Sequence, residues 1–201
     1  MQQFIGSREC ISLLSFFSIL VAIKLILGSF ILSPHIVVDE HLLFIEARRI
    51  FFEHTYFIND AVRGAQYPPL YPLVISPATA SQDALRWIIC INSFLSSSVV
   101  FPLYYLARKY LPEDRSMMAT VVGGLLPPYF TYTFTIMAEN LFFPLVLASI
   151  YFLKRVTEED DFRNNLLCGI FISLAVMTKL TGVVLLGVFI LVKLKMLVVG
   201  K

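Results

Sequence analysis

The stretch Ile11-Ser-Leu-Leu-Ser-Phe-Phe-Ser-Ile-Leu-Val21-Ala-Ile-Lys24-Leu-Ile-Leu-Gly-Ser-Phe-Ile-Leu32 carries one charged side chain. It is long enough to cross a bilayer, which takes roughly 20 apolar residues as helix. A secretory signal has a shorter apolar region, of about 7–15 residues, followed by a small-residue cleavage site. Neither feature fits here, so the stretch reads as a retained transmembrane span. Lys24 lies inside it and must snorkel or face a partner.

Working outward, further apolar blocks follow at about Leu85–Ala107, Met117–Ile136 and Leu141–Leu153. A last block, Leu166 to Val192, is interrupted around Lys179. An unpaired lysine at mid-bilayer is costly, so this block divides into about Leu166–Met177 and Val183–Val199. Of the 201 residues 58% are hydrophobic and only 15% charged, against about 25% charged in soluble domains. The alternating ten-residue pattern of a membrane β-barrel is missing. The predicted fold is therefore all-α: a polytopic transmembrane helical bundle of about six spans. Residues 1–201 form one transmembrane domain, with 33–84 as its long first loop. A net charge of +2 gives no footprint for nucleic acid, so the lipid bilayer is the expected environment. Cys10, Cys90 and Cys168 are widely spaced and form no metal-ligand pattern.

Positive charge is expected to accumulate on the cytoplasmic side. With the N-terminus cytoplasmic, that side receives Arg8, Arg108, Lys109, Arg115, Lys154, Arg155, Arg163, Lys193, Lys195 and Lys201. The other side receives Arg48, Arg49, Arg63, Arg86 and Lys179. This balance predicts an integral protein of the cell membrane with a cytoplasmic N-terminus. The long loop, the turn at Glu139-Asn140 and the break at Lys179 then all open on the non-cytoplasmic face.

Within the loop, apolar residues at 43, 47, 50 and 51 share one helical face, while Glu46, Arg49 and Glu53 fall on another. Arg49 is spaced for pairing with Glu46 or Glu53. The pattern predicts an amphipathic interfacial helix. Asp39 stands at its head, readable as an N-cap or as a general base. Glu40 reads as a first-turn acid favoured by the helix dipole, or as a polar contact or metal ligand. Next, Tyr67-Pro68-Pro69-Leu70-Tyr71-Pro72-Leu73 makes a rigid re-entry toward the second span. Its tyrosines suit the interfacial belt.

The acidic pair after the first span, the loop helix and Tyr67-Pro68-Pro69-Leu70-Tyr71-Pro72-Leu73 resemble the GT-C superfamily of membrane glycosyltransferases. The likeness is to protein O-mannosyltransferase-like and lipid A aminoarabinose transferase-like members. Leu125-Leu126-Pro127-Pro128 followed by Ala138-Glu139-Asn140-Leu141 is similar to the family's third-span ending and its Glu-containing turn. Met177-Thr178-Lys179-Leu180-Thr181-Gly182 is similar to its basic residue between two later spans. The resemblance covers about residues 10–195. It implies transfer of a sugar from a polyprenyl-phosphate carrier to an acceptor hydroxyl outside the membrane, with inversion. Asp39 would be the general base. Arg48, Arg49 and Lys179 would supply positive charge at the departing phosphate, and Tyr67 would line the substrate site. Glu40 and Glu139 would position substrate or bind a divalent cation, while His41, His54 and His35 read as ordinary loop surface.

Lys179 also reads as a snorkelling span-end lysine, and Glu139 as a cap before the fourth span. Family members usually carry more spans and a soluble domain. The expectation is therefore an N-terminal portion: a fragment, a short relative, or half of a split enzyme that a second chain would complete. A transporter or permease component and a non-catalytic membrane scaffold are the competing readings.

Overall fold

The computed structural model describes residues 6–33, 38–55 and 67–199, and every regular element among them is helical. In chain order these are α1 (Ser7–Gly28), α2 (Val38–Phe52), α3 (Leu70–Ile75), α4 (Ala84–Ser97), α5 (Val100–Arg108), α6 (Glu113–Gly124), α7 (Pro127–Thr131), α8 (Glu139–Glu158), α9 (Phe162–Thr178) and α10 (Val183–Val199). Tighter 3-10 turns lie at Ser76–Ala80, Tyr132–Phe134 and Leu180–Gly182. The all-α reading holds. His35 and Arg63 fall outside the described residues.

Four stretches among the described residues are long and apolar enough to cross a membrane: Ser7–Gly28, Ala84–Arg108, Glu139–Glu158 and Leu180–Val198. The expected count of about six is not confirmed. Over the third predicted span α6 stops at Gly124, and the five-residue α7 restarts at Pro127. Proline removes an amide donor and clashes with the preceding turn, so the Pro127-Pro128 pair starts a helix here and cannot continue one. The fifth predicted span is the apolar helix α9, 17 residues long.

Ion pairs gather one end of the bundle. Arg108 meets Glu9 at 3.2 Å, Lys109 meets Glu158, and Lys193 meets Asp160 at 2.6 Å. The starts of α1 and α9 therefore lie beside the ends of α5, α8 and α10. Two other contacts gather the opposite end, called the mouth here: Glu40 to Ile136 and Glu139 to Lys179.

Three apolar clusters fill the interior. Leu13, Leu20, Val99, Val100 and Tyr104 join α1 to α4 and α5. Val156, Cys168 and Ile172 join α8 to α9. Leu43, Ala47, Tyr71, Ile75, Ile88 and Ile136 lie beneath the mouth. Gly28 permits the close approach of α1 to α4, because a Cβ there would stand 2.5 Å from Ile89 Cγ2. Helix α10 is almost wholly uncovered by protein, as suits an apolar helix whose outer face meets lipid.

Candidate functional site at the mouth

Helix α2 sets the site because its inward face is acidic as well as apolar. Glu40, Leu43, Glu46 and Ala47 are all buried, packed against α3 and the Ser76–Ala80 turn. Phe51 and Phe52 remain exposed. The sequence grouped Glu46 with Arg49 and Glu53 on the polar face of an interfacial helix, and in the structure Glu46 is 0% exposed. The returning chain covers it, and the Tyr67 amide donates to Glu46 Oε1 at 3.4 Å. Helical spacing alone carries no record of that cover.

Asp39 is exposed in the first turn of α2, one residue inside the helix. Its Oδ1 accepts the Tyr67 hydroxyl at 2.5 Å. Burial, then this bond and the Asp39 charge, push the Tyr67 phenol up to about 12. It therefore stays a neutral donor at any physiological pH. Asp39 and Tyr67, two of the expected site residues, are brought into direct contact.

Glu40 points the other way. At 2% exposure it accepts the Ile136 amide at 3.0 Å, across 96 residues of chain. The segment that supplies this amide lies between the Tyr132–Phe134 turn and α8, where regular helical bonds are missing. Side chains take up its backbone carbonyls instead. Asn140 Nδ2 donates to Tyr132, Met137 and Thr135 at 2.7, 3.0 and 3.3 Å. Asn92 Nδ2 donates to Thr135 at 2.9 Å, and Asn92 Oδ1 accepts the hydroxyl of the buried Tyr71 at 3.1 Å. Burial raises the Tyr71 phenol, its bonds with Asn92 and Asn140 pull against that rise, and the charges of Glu40 and Glu139 add to it. Both carboxylates thus act on one buried ring.

Glu139 begins α8, where a carboxylate is favoured by the exposed amides of the first turn. It pairs with Lys179, the extended residue that ends α9. Lys179 is therefore held at the mouth by a partner. The tight return depends on Gly182, whose amide donates to Lys179 O at 2.8 Å. A Cβ on Gly182 would come within 2.8 Å of the Ala175 backbone. Beside Glu139, the side chains of Ser96, Tyr129, Tyr132, Asn140 and Phe143 border a shallow crevice.

The two arginines are not drawn to Asp39. Arg48 lies over the Phe52 ring at 5.5 Å, and Arg49 reaches Glu53 at 3.9 Å. His41 is exposed, and His54 takes a positive φ of 51° at the end of α2. That is a helix-stopping geometry which histidine tolerates better than most residues. Among the described residues, no three His, Cys, Asp or Glu side chains gather as a cation site. Glu40 and Glu139, the expected cation ligands, face the Ile136 amide and Lys179 respectively.

Asn92 was not singled out from the sequence, Asn140 was read only as part of a turn, and Tyr71, read as an interfacial tyrosine, is buried. The available signal was a lone asparagine inside the apolar block Leu85–Ala107, since a buried amide in a span needs partners.

A family model described as dolichyl-phosphate-mannose-protein mannosyltransferase matches residues 66–200, beginning one residue before Tyr67. Helices α1 and α2, with Asp39 and Glu40, precede the matched region. Neither the curated proteins nor the solved structures give a match. With two thirds of its length matched, from the re-entry at Tyr67 through α10, the chain belongs to the dolichyl-phosphate-mannose-protein mannosyltransferase family of GT-C-type membrane glycosyltransferases.

Proposed function

We propose that the mouth transfers a sugar from a polyprenyl-phosphate carrier to an acceptor hydroxyl on the non-cytoplasmic face, with Asp39 as general base. The observation that carries this reading is the split of one acidic pair into two environments. Glu40 is buried and tied to the Ile136 amide, while Asp39 is exposed and oriented by Tyr67. A general base must be ionised, held in direction and open to its substrate. Asp39 is held in direction by Tyr67 and open to a substrate, with Glu40 as its anchor.

In the reaction, Asp39 takes the proton of the acceptor hydroxyl as that oxygen attacks the anomeric carbon. The bond from that carbon to the phosphate oxygen breaks, and the polyprenyl phosphate departs with the electron pair. Attack opposite the leaving group inverts the centre. The phosphate is already a good leaving group, so the site chiefly has to stabilise its charge. Lys179 is the cation at the mouth for this task, steadied by Glu139 until phosphate arrives. Arg48 and Arg49, on the outer side of α2, meet the acceptor or the lipid headgroup surface. The positive-inside distribution supports a cytoplasmic N-terminus, which turns the mouth outward.

Membranes carrying the protein are incubated with polyprenyl-phosphate mannose bearing a labelled sugar, and wild type is compared with Asp39→Asn. Transfer in wild type that drops by about 10²-fold or more in the variant is expected of a lost general base. Transfer that survives the substitution would remove Asp39 from the mechanism.

A further inference from the structure

We infer that Lys24 is a positioning residue for the mouth: from within α1 it holds the chain segment whose Ile136 amide anchors Glu40 beside Asp39. The kinetic part of this inference rests on the proposed transfer at Asp39, while its structural part stands alone. Lys24 is 0% exposed, although it lies in an apolar span where a snorkelling lysine would reach water. Its Nζ donates to Ser96 Oγ at 2.8 Å and to the Tyr129 carbonyl at 2.9 Å, with the Phe130 ring 5.7 Å away. No carboxylate pairs with it among the described residues. A buried amine in a membrane span is costly unless its donors are taken up, so these acceptors fix where it points.

What Lys24 holds is the irregular stretch that ends at Ile136. Tyr129 lies in the five-residue α7, and its carbonyl accepts the Thr133 hydroxyl at 3.2 Å as well as Lys24. Ser96 extends the hold. Ser96 Oγ donates to Asn92 O at 2.6 Å, accepts from Lys24, and lies 2.8 Å from the Thr133 hydroxyl. Asn92 then reaches Thr135 O, and Ile136 reaches Glu40. The segment is thus tied at residues 129, 133, 135 and 136 in succession. Lys24 and Ser96 make the first two ties from α1 and α4.

Removing the amine while leaving an unbranched side chain of similar length separates positioning from folding. Lys24→Met suits an apolar span and should insert and fold, because it removes an amine that is costly to bury in the membrane. Hydrogen exchange in detergent micelles is followed peptide by peptide, and transfer from polyprenyl-phosphate mannose is measured alongside. In Lys24→Met the Ile136 amide is expected to exchange about tenfold faster or more, while α4 and α8 keep their protection. Turnover falls about tenfold or more with donor KM changed less than about threefold, the mark of a misplaced reacting group. Lys24→Gln keeps an amide donor and recovers part of both losses. Unchanged exchange at Ile136 in Lys24→Met overturns the inference, as does loss of protection spread evenly through α4 and α8. If Asp39→Asn retains transfer, the reading of Asp39 fails, and the exchange result still decides the role of Lys24.

Discussion

The Tyr67 hydroxyl donates to Asp39 Oδ1 at 2.5 Å, joining the start of the re-entry segment to the head of α2 across 28 residues. One bond thus orients the carboxylate assigned as base. Tyr67→Phe keeps the ring and removes only this donor. Turnover is expected to fall about three- to thirtyfold, less than on losing the carboxylate, with little change in donor KM. Steady-state kinetics on the variant check this.

The same phenol sets a pH signature. Its value is raised to about 12 in the folded protein, against about 10 for a free tyrosine. Between those values the unfolded chain has lost this proton and the folded one retains it. The contribution to stability is therefore complete below about pH 10 and is lost as pH rises toward 12. In the difference between wild-type and Tyr67→Phe ultraviolet titrations, the missing tyrosinate step is expected near pH 12. A missing step near pH 10 would contradict the burial and the bond to Asp39. Because Tyr67 stays neutral from pH 6 to 9, its kinetic effect should be constant across that range.

Glu40→Ala leaves the Ile136 amide without its carboxylate acceptor at a buried position. Stability should fall by about 1–3 kcal/mol, the usual result of leaving a buried donor unsatisfied. Glu40→Gln retains an acceptor oxygen and should lose less. Thermal unfolding in detergent distinguishes the two, and equal losses would detach Glu40 from Ile136.

Lys179→Met removes the cation assigned to the departing phosphate. Transfer should fall about 10²- to 10³-fold, the range seen when one charge-stabilising group is deleted. Glu139→Gln removes only its partner and should cost far less, since a partly exposed ion pair contributes about 1 kcal/mol or less. Transfer assays on both variants check the order.

Gly182→Ala tests the placement of Lys179 without touching its charge. The added Cβ would press on the Ala175 backbone at 2.8 Å, so the turn after α9 must move. Transfer is expected to fall while α9 and α10 stay helical by circular dichroism. Full activity would show that Lys179 need not sit beside Glu139.

The membrane-spanning character was legible in uninterrupted apolar blocks, because bilayer crossing depends on local composition. The third predicted span is not confirmed as one continuous helix, also for a local reason. Leu125, Leu126 and Phe130 keep the block apolar, while Pro127-Pro128 breaks its helix. Asp39, Glu40, Glu139 and Lys179 drew notice as charges beside apolar segments. Which of them would meet, as Asp39 meets Tyr67 and Glu139 meets Lys179, was not legible. That Glu40 finds Ile136, or that Lys24 finds Ser96 and Tyr129, depends on packing between segments tens of residues apart. The burial of Glu46 was hidden because its cover comes from Tyr67, a residue outside the helical periodicity used to read α2.

The long reach from Glu40 to Ile136 also imposes an order of assembly. Asp39 and Tyr67 lie early in the chain, and their bond needs nothing made after them. The amide that Glu40 accepts arrives only after α4, α5, α6 and α7 have been synthesised. Until then the nascent chain carries an acid that has no such donor to bury it. The bond that ties α2 to the segment before α8 therefore forms only once Ile136 has been made.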